Sequence, residues 1–308
     1  MKSLLLVIGV SCVNVVVVMC LSPLFEGVIR KITALIQSRK GPPVTQSYFD
    51  LFKLLIKEDI SVGVVPAMQK FAAFLSFATV LAVSLLIPMG FSAPLSAGAD
   101  SLLLIYLLTL LGISTIFAGL AAGTTYSLIG MNREMMSMIT LEPLLAISLV
   151  IAAIHAGSFR LASVFSGSIY ASALPVPVSG LLILGVILFS LQAFVGRVPF
   201  DVTEAETEIM EGPLVEYSGP KLALFKYSRM MKLFVYCGLI VALFVPWLKT
   251  GIYPLDLLIF VAEILVLVVV VTLISASNAR YRIDQVVRYY LVLFVIALAA
   301  LVAAVLGW

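Results

Sequence analysis

Eight windows of helical length carry almost no charge: residues 3–25, 68–90, 101–122, 135–155, 179–197, 232–248, 254–277 and 288–307. A helix of about 20 apolar residues crosses the hydrocarbon core of a bilayer. Lipid offers no hydrogen bonds, so a spanning backbone must pair its own N–H and C=O groups, as helices and closed barrels do. These windows are continuous apolar runs, unlike the short alternating strands of a barrel. The pattern predicts an all-α, polytopic membrane protein of about eight transmembrane helices. The whole chain, 1–308, then forms a single integral membrane domain.

Composition agrees: 62% of the residues are hydrophobic and 11% charged, whereas soluble domains carry about 25% charged residues. No water-soluble fold of this size hides that much apolar surface. The net charge of +3 is too small to point to nucleic acid. Cys12, Cys20 and Cys237 lie in apolar runs without CxxC spacing, so they are expected to be small buried hydrophobes. The one histidine, His155, ends an apolar run, which argues against a haem or His-based metal site in this chain. Neither GxxxxGK[ST] nor GxGxxG is present. The run after Lys2 has the look of a signal peptide, but it is uncharged from Ser3 to Phe25 and lacks a small-x-small cleavage site. It is expected to be a retained first helix.

Of the 19 basic residues, only Lys2, Arg160 and Lys249 fall outside the odd-numbered connections and their flanks. The positive-inside rule then predicts both termini outside, with long cytoplasmic connections at about 26–67 and 197–232. In the first of these, Phe49, Phe52, Leu55 and Ile56 recur at helical spacing, with Asp50, Lys53 and Lys57 on another face. That pattern predicts a helix at the membrane surface or against the bundle. No internal repeat of the transporter kind is visible.

The second connection crowds together Asp201, Glu204, Glu206, Glu208, Glu211 and Glu216. If helical, Asp201, Glu204, Glu208 and Glu211 share one stripe, and Thr203-x-x-Glu206 has the form of a capping box. Carboxylates that close repel, so some keep a proton near neutral pH. Such a row beside a membrane passes protons or answers a nearby charge change. A solvated acidic loop explains the same composition. Within the spans, Glu142 precedes Pro143, Glu263 sits in the seventh window, and Glu26 and Glu134 lie nearer window ends. An ionised carboxylate in lipid is costly, so Glu142 must face protein or water or hold a proton. It reads as a proton-path residue or as a structural partner of Arg133 or another cation. Arg39-Lys40-Gly41-Pro42-Pro43 predicts a rigid basic corner, more an anchor than a ligand site.

Together, Arg39-Lys40-Gly41-Pro42 with Gln46, Asp50 and Lys53, Arg133 ahead of Glu142, Pro199-Phe200-Asp201, Glu204-Ala205-Glu206, Glu208 and Glu216-Tyr217-Ser218-Gly219 resemble the H-type membrane subunit of respiratory complex I. The resemblance covers essentially the whole chain. Glu211-Gly212-Pro213, Arg133-Glu134 and Leu141-Glu142-Pro143 look like the energy-converting NiFe hydrogenases of the formate hydrogenlyase type. The first connection lacks the second Arg-x-Gly-Pro element usual in complex I, which puts quinone reduction in doubt. Relatives usually carry a Glu where this chain has Phe194, which implies a different ion route or weaker coupling.

The resemblance implies a multi-pass subunit of the cell's inner (plasma) membrane with no redox cofactor of its own. It would anchor a cytoplasmic arm containing a hydrogenase-like large subunit with a NiFe centre and a small subunit with iron–sulfur clusters. Antiporter-like membrane subunits would lie beside it in the bilayer. Asp50, Glu142, Glu204, Glu206, Glu208 and Glu216 would carry coupling, joined by Asp201 and Glu211 of the same acidic stretch. Arg39, Gly41, Pro42, Lys53, Arg133, Arg197, Pro199 and Tyr217 would serve docking or structure. A quinone-linked dehydrogenase subunit, a sulfane reductase subunit, a plain anchor and a stand-alone secondary transporter are the alternatives.

Overall fold

The computed structural model describes residues 2–60, 64–90, 93–96, 98–167, 169–170, 177–245 and 251–307, with side chains from residue 7 onward except those of Glu206 and Thr207. The described residues form α1 (Lys2–Ile36), α2 (Gln46–Ile56), α3 (Pro66–Ser84), α4 (Ser101–Ala122), α5 (Thr125–Ala156), α6 (Leu161–Ser166), α7 (Val178–Val195), α8 (Glu206–Ile209), α9 (Gly219–Phe244), α10 (Tyr253–Ser277) and α11 (Ile283–Val305). Among them, 8 helices are long and apolar enough to cross a membrane: α1, α3, α4, α5, α7, α9, α10 and α11. The all-helical polytopic expectation holds, and α2 is the amphipathic helix expected in the first connection.

Local sequence explains several helix limits. Prolines open α3, α9 and α10 in the first turn, where a missing N–H breaks no helical bond. Gly123 and Gly196 end α4 and α7 in the left-handed conformation, at φ 70° and 68°. Three helices run ten residues or more past their apolar windows. α1 continues to Ile36 and carries Glu26, Arg30 and Lys31 on it. α5 begins at Thr125, so Arg133 and Glu134 are helical. α9 begins at Gly219 and holds Lys221, Lys226, Arg229 and Lys232. Hydropathy windows stop at charges, whereas a helix continues wherever the protein itself solvates them.

Two expectations fail. The acidic stretch is not one helix: α8 has four residues, a 3-10 turn follows at Gly212–Leu214, and Met210 and Glu211 are left-handed at φ 52° and 58°. Asp201, Glu204, Glu208 and Glu211 therefore share no helical stripe. Thr203 caps nothing either, since the N-cap of α8 is Ala205 and lacks a side-chain bond. Pro199 and Pro213 break regular structure at both ends, and the carboxylates bind arginines instead of solvating a helix face. Of the cysteines only Cys237 is buried; Cys12 and Cys20 are exposed on peripheral α1, where a thiol sits as well against lipid as against protein.

α9 is the most enclosed spanning helix and packs against α1, α2, α3, α7 and α10. The outer helices turn apolar side chains outward, with Val266 60% and Val295 66% exposed, a surface suited to lipid and not to water. The odd-numbered connections meet at one end of the bundle. There Tyr281 N–H donates to the Pro199 carbonyl (3.0 Å), Val65 N–H to the Ala121 carbonyl (3.3 Å), and the Ser218 hydroxyl bonds the backbone of Ile60 (3.0 Å). At the other end Ser101 N–H donates to the Phe159 carbonyl (2.9 Å), beside a backbone bridge between Asp100 and Arg160.

Candidate functional site

Where α4, α5, α7 and α9 meet the 196–214 loop, they enclose a chamber of about 130 Å³. Its charged wall comes from three sources: Glu134 and Glu142 on α5, Glu204 and Glu211 on the loop, and Lys226, Arg229 and Lys232 on α9. Residues 226, 229, 232 and 236 recur at helical spacing, which sets Lys226, Arg229, Lys232 and Tyr236 on one face of α9.

Arg229 is the hub. It donates to Glu204, lies 3.8 Å from the Asp201 carboxylate, and reaches the Gly196 carbonyl at 3.4 Å. Arg280, from the α10–α11 corner, holds the other Asp201 oxygen at 3.1 Å. Arg133 donates to Glu208 at 2.7 Å and to the Val202 carbonyl at 3.2 Å. Lys226 pairs with Glu211 at 3.6 Å. The acids that crowd one another in sequence are thus interleaved with cations from three distant elements.

A second run of pairs leads outward. Arg197 donates to Glu26, Arg30 lies 3.7 Å from Glu26, and Arg30 donates to Asp50 at 2.7 Å. Gln46 donates to the other Asp50 oxygen at 3.1 Å. The two runs touch electrostatically, because the Arg197 charge also acts on Asp201. The result is a line of alternating charge from α2 to the chamber.

The hydrogen bond from Arg30 holds the Asp50 carboxyl below the usual carboxylate range. Burial pushes Glu204 above that range; Arg229 opposes the shift, and Asp201 and Glu134 add to it. Burial raises Asp201 too, against Arg229 and Arg280. Glu204 lies deep in the protein, yet its side chain keeps 20% of its surface open because it borders the chamber.

Glu142 lines the chamber with Oε1 buried and without a hydrogen-bond partner, and Arg133 is engaged with Glu208 instead. Glu206 opens α8, but its side chain lies outside the described residues. Glu216 joins none of these pairs. Arg39 and Lys53 are exposed, Arg39 against Gln37 and Lys53 near enough for its charge to act on Asp50. A Cβ on Gly41 would stand 2.7 Å from that of Ala34, so the Gly41-Pro42 corner packs closely on α1. Pro199 follows a cis peptide bond. Tyr217 is buried, donates to the Ala118 carbonyl at 3.1 Å and meets Phe225 edge-on. Phe194 stacks on Tyr236 with ring centroids 5.3 Å apart. Sequence reasoning undervalued Glu26, Arg229, Arg280 and Lys232, reading the three cations only for orientation. The spacing along α9 was the available signal for Arg229 and Lys232. Among the described residues no group of three or more His, Cys, Asp or Glu is arranged to hold a metal ion.

The family model for NADH dehydrogenase matches residues 8–305. The chain belongs to the NADH dehydrogenase family. Members with similar sequences include hydrogenase-4 component C of Escherichia coli (strain K12), 32% identical over 87% of this chain and 86% of that protein. Formate hydrogenlyase subunit 4 of the same organism is 30% identical over 88% and 90%. NADH-ubiquinone oxidoreductase chain 1 of Paracentrotus lividus is 31% identical over 90% and 88%. A chain of the membrane-bound sulfane sulfur reductase, an archaeal respiratory membrane complex, superposes with a TM-score of 0.86 at 24% identity, covering 97% of this chain and 99% of that one. The family match spans nearly all of the chain, and this family member is a multi-pass membrane protein. The resemblance read from the Pro199-Phe200-Asp201 and Glu216-Tyr217-Ser218-Gly219 stretches was to this family. Its relatives' names make them components or subunits of larger assemblies.

Proposed function

We propose that this chain is the membrane-anchoring and coupling subunit of a hydrogenase-type oxidoreductase complex. It links electron transfer in a docked arm to movement of protons or sodium ions. The arm would contain a hydrogenase-like large subunit with the NiFe centre and an iron–sulfur small subunit, with antiporter-like membrane subunits alongside. The observation that carries this reading is Arg229, shared between Asp201 and Glu204 at the mouth of a chamber that contains Glu142. A charge change on either loop carboxylate re-weights the pairing of Arg229 with the other, and so alters the proton affinity of an acid inside the bundle. Hydrogenase and formate hydrogenlyase components among the similar proteins add support.

The test is purification of the tagged chain from its native membranes, followed by nickel and iron analysis. Co-purification with a nickel-containing large subunit and an iron–sulfur protein is the expected result. Recovery of the chain alone or as a homo-oligomer would overturn it. Within the assembled complex, replacing Glu204, Glu206 and Glu208 together by Gln should uncouple or slow turnover while assembly persists. Unchanged turnover and unchanged ion movement in that variant would contradict the coupling role.

A further inference from the structure

Three cations line the chamber, and two are already taken. Lys226 faces Glu211, and Arg229 faces Glu204 and Asp201. Among the described residues Lys232 has no carboxylate within 4.0 Å, and its Nζ lies 5.8 Å from the centre of the Tyr236 ring. That contact is a cation–π interaction, which holds an ammonium without taking its proton. Glu142 has a matching vacancy, since its Oε1 is buried on the same chamber with no hydrogen bond. Phe194 stacks on Tyr236 between α7 and α9, so the α7 wall offers no acid at this point. Glu134 and Glu204 are close enough for their charges to act on Lys232.

Resting on the coupling reading above, we propose that Lys232 is the proton-exchange residue of the chamber, passing protons between Glu204 or Glu134 and Glu142. The Lys232 ammonium gives one proton to the Glu142 carboxylate, leaving a neutral amine and a carboxylic acid. A protonated Glu204 then gives its proton to that amine, and the ammonium returns. No other bond changes, and the net result is one proton moved from the loop to the interior of α5. The chamber has room for several water molecules to bridge the groups. Lysine suits this task and arginine does not: an amine releases its proton within proteins, whereas a guanidinium stays charged.

The experiment uses inverted membrane vesicles carrying the assembled complex as wild type, Lys232→Met and Lys232→Arg. Assembly, electron transfer in the presence of a protonophore, and redox-driven proton uptake are each measured per complex. Both variants should keep uncoupled electron transfer within about 2-fold while proton uptake falls about 10-fold or more, the scale of a lost acid–base group. Lys232→Arg with wild-type uptake would show a fixed charge and overturn the proposal, as would full uptake in Lys232→Met. Should Lys232→Met fail to accumulate, Lys232→Arg decides alone. Wild-type vesicles that move only sodium overturn the exchange role but leave coupling standing. Wild-type vesicles that move no ion overturn the coupling reading itself.

Discussion

Arg133 donates to Glu208 at 2.7 Å and to the Val202 carbonyl at 3.2 Å, so the helix that carries Glu142 also clamps the loop that carries Glu204. The Glu208 side chain is half exposed, and exposed pairs contribute little. Glu208→Gln should lower stability by less than about 1 kcal/mol. Arg229→Met strands Glu204 and leaves Asp201 to Arg280 alone, and should cost about 2–3 kcal/mol, less than a fully dry pair because Arg229 borders the chamber. Thermal unfolding in detergent measures the ranking; equal losses would contradict it.

Glu204 sets a pH dependence. Its proton is held more tightly in the folded state than the ordinary value of 4.5. From that value up to the folded pKa, the folded chain binds more protons than the unfolded one, so stability falls as pH rises. Glu204→Gln removes this term. Melting temperatures between about pH 4 and pH 8 should fall less with rising pH in the variant than in the wild type. Parallel curves would contradict the raised value.

Asp50 acts with the opposite sign. Its folded pKa is depressed by Arg30, so its stabilisation is present above the ordinary value of 3.8 and is lost as pH falls through the folded value. The side chain is 41% exposed, so solvent screens the effect. Asp50→Asn should lower the melting temperature slightly at neutral pH, and the gap should close in acid. A gap that widens in acid would contradict the depressed value.

Two glycines separate close approach from helix propensity. A Cβ on Gly27 would stand 1.9 Å from the Val44 carbonyl oxygen, whereas one on Gly185 meets nothing within 4 Å. Gly27→Ala must displace the connection between α1 and α2 and should lower both stability and yield. Gly185→Ala should be neutral or stabilise by about 0.5–1 kcal/mol through lost backbone entropy. Denaturation of the two variants side by side checks the contrast.

The amphipathic spacing of Phe49, Phe52 and Ile56 was enough to place α2, because a helix exposes its periodicity in the chain itself. The acidic stretch was legible as a cluster of acids but not as a shape. Its carboxylates were expected to repel along one stripe, yet Arg133, Arg229 and Arg280 separate them. Those arginines come from α5, α9 and the α10–α11 corner, and no local pattern encodes which cation meets which acid. Lys232 was hidden differently, since a hydropathy window that began at its charge read it as a boundary.

What the sequence by itself determined is the membrane class, the eight spans and the family. Each follows from short-range facts: apolar run length, residue type and motif spacing. Only the tertiary structure decided that Glu204 and Asp201 share Arg229, that Arg133 binds Glu208 and leaves Glu142 without it, and that Lys232 lines the chamber with no carboxylate within 4.0 Å among the described residues. Coulomb pairing and desolvation depend on distance and burial, and in a bundle those are set by helices far apart in the chain.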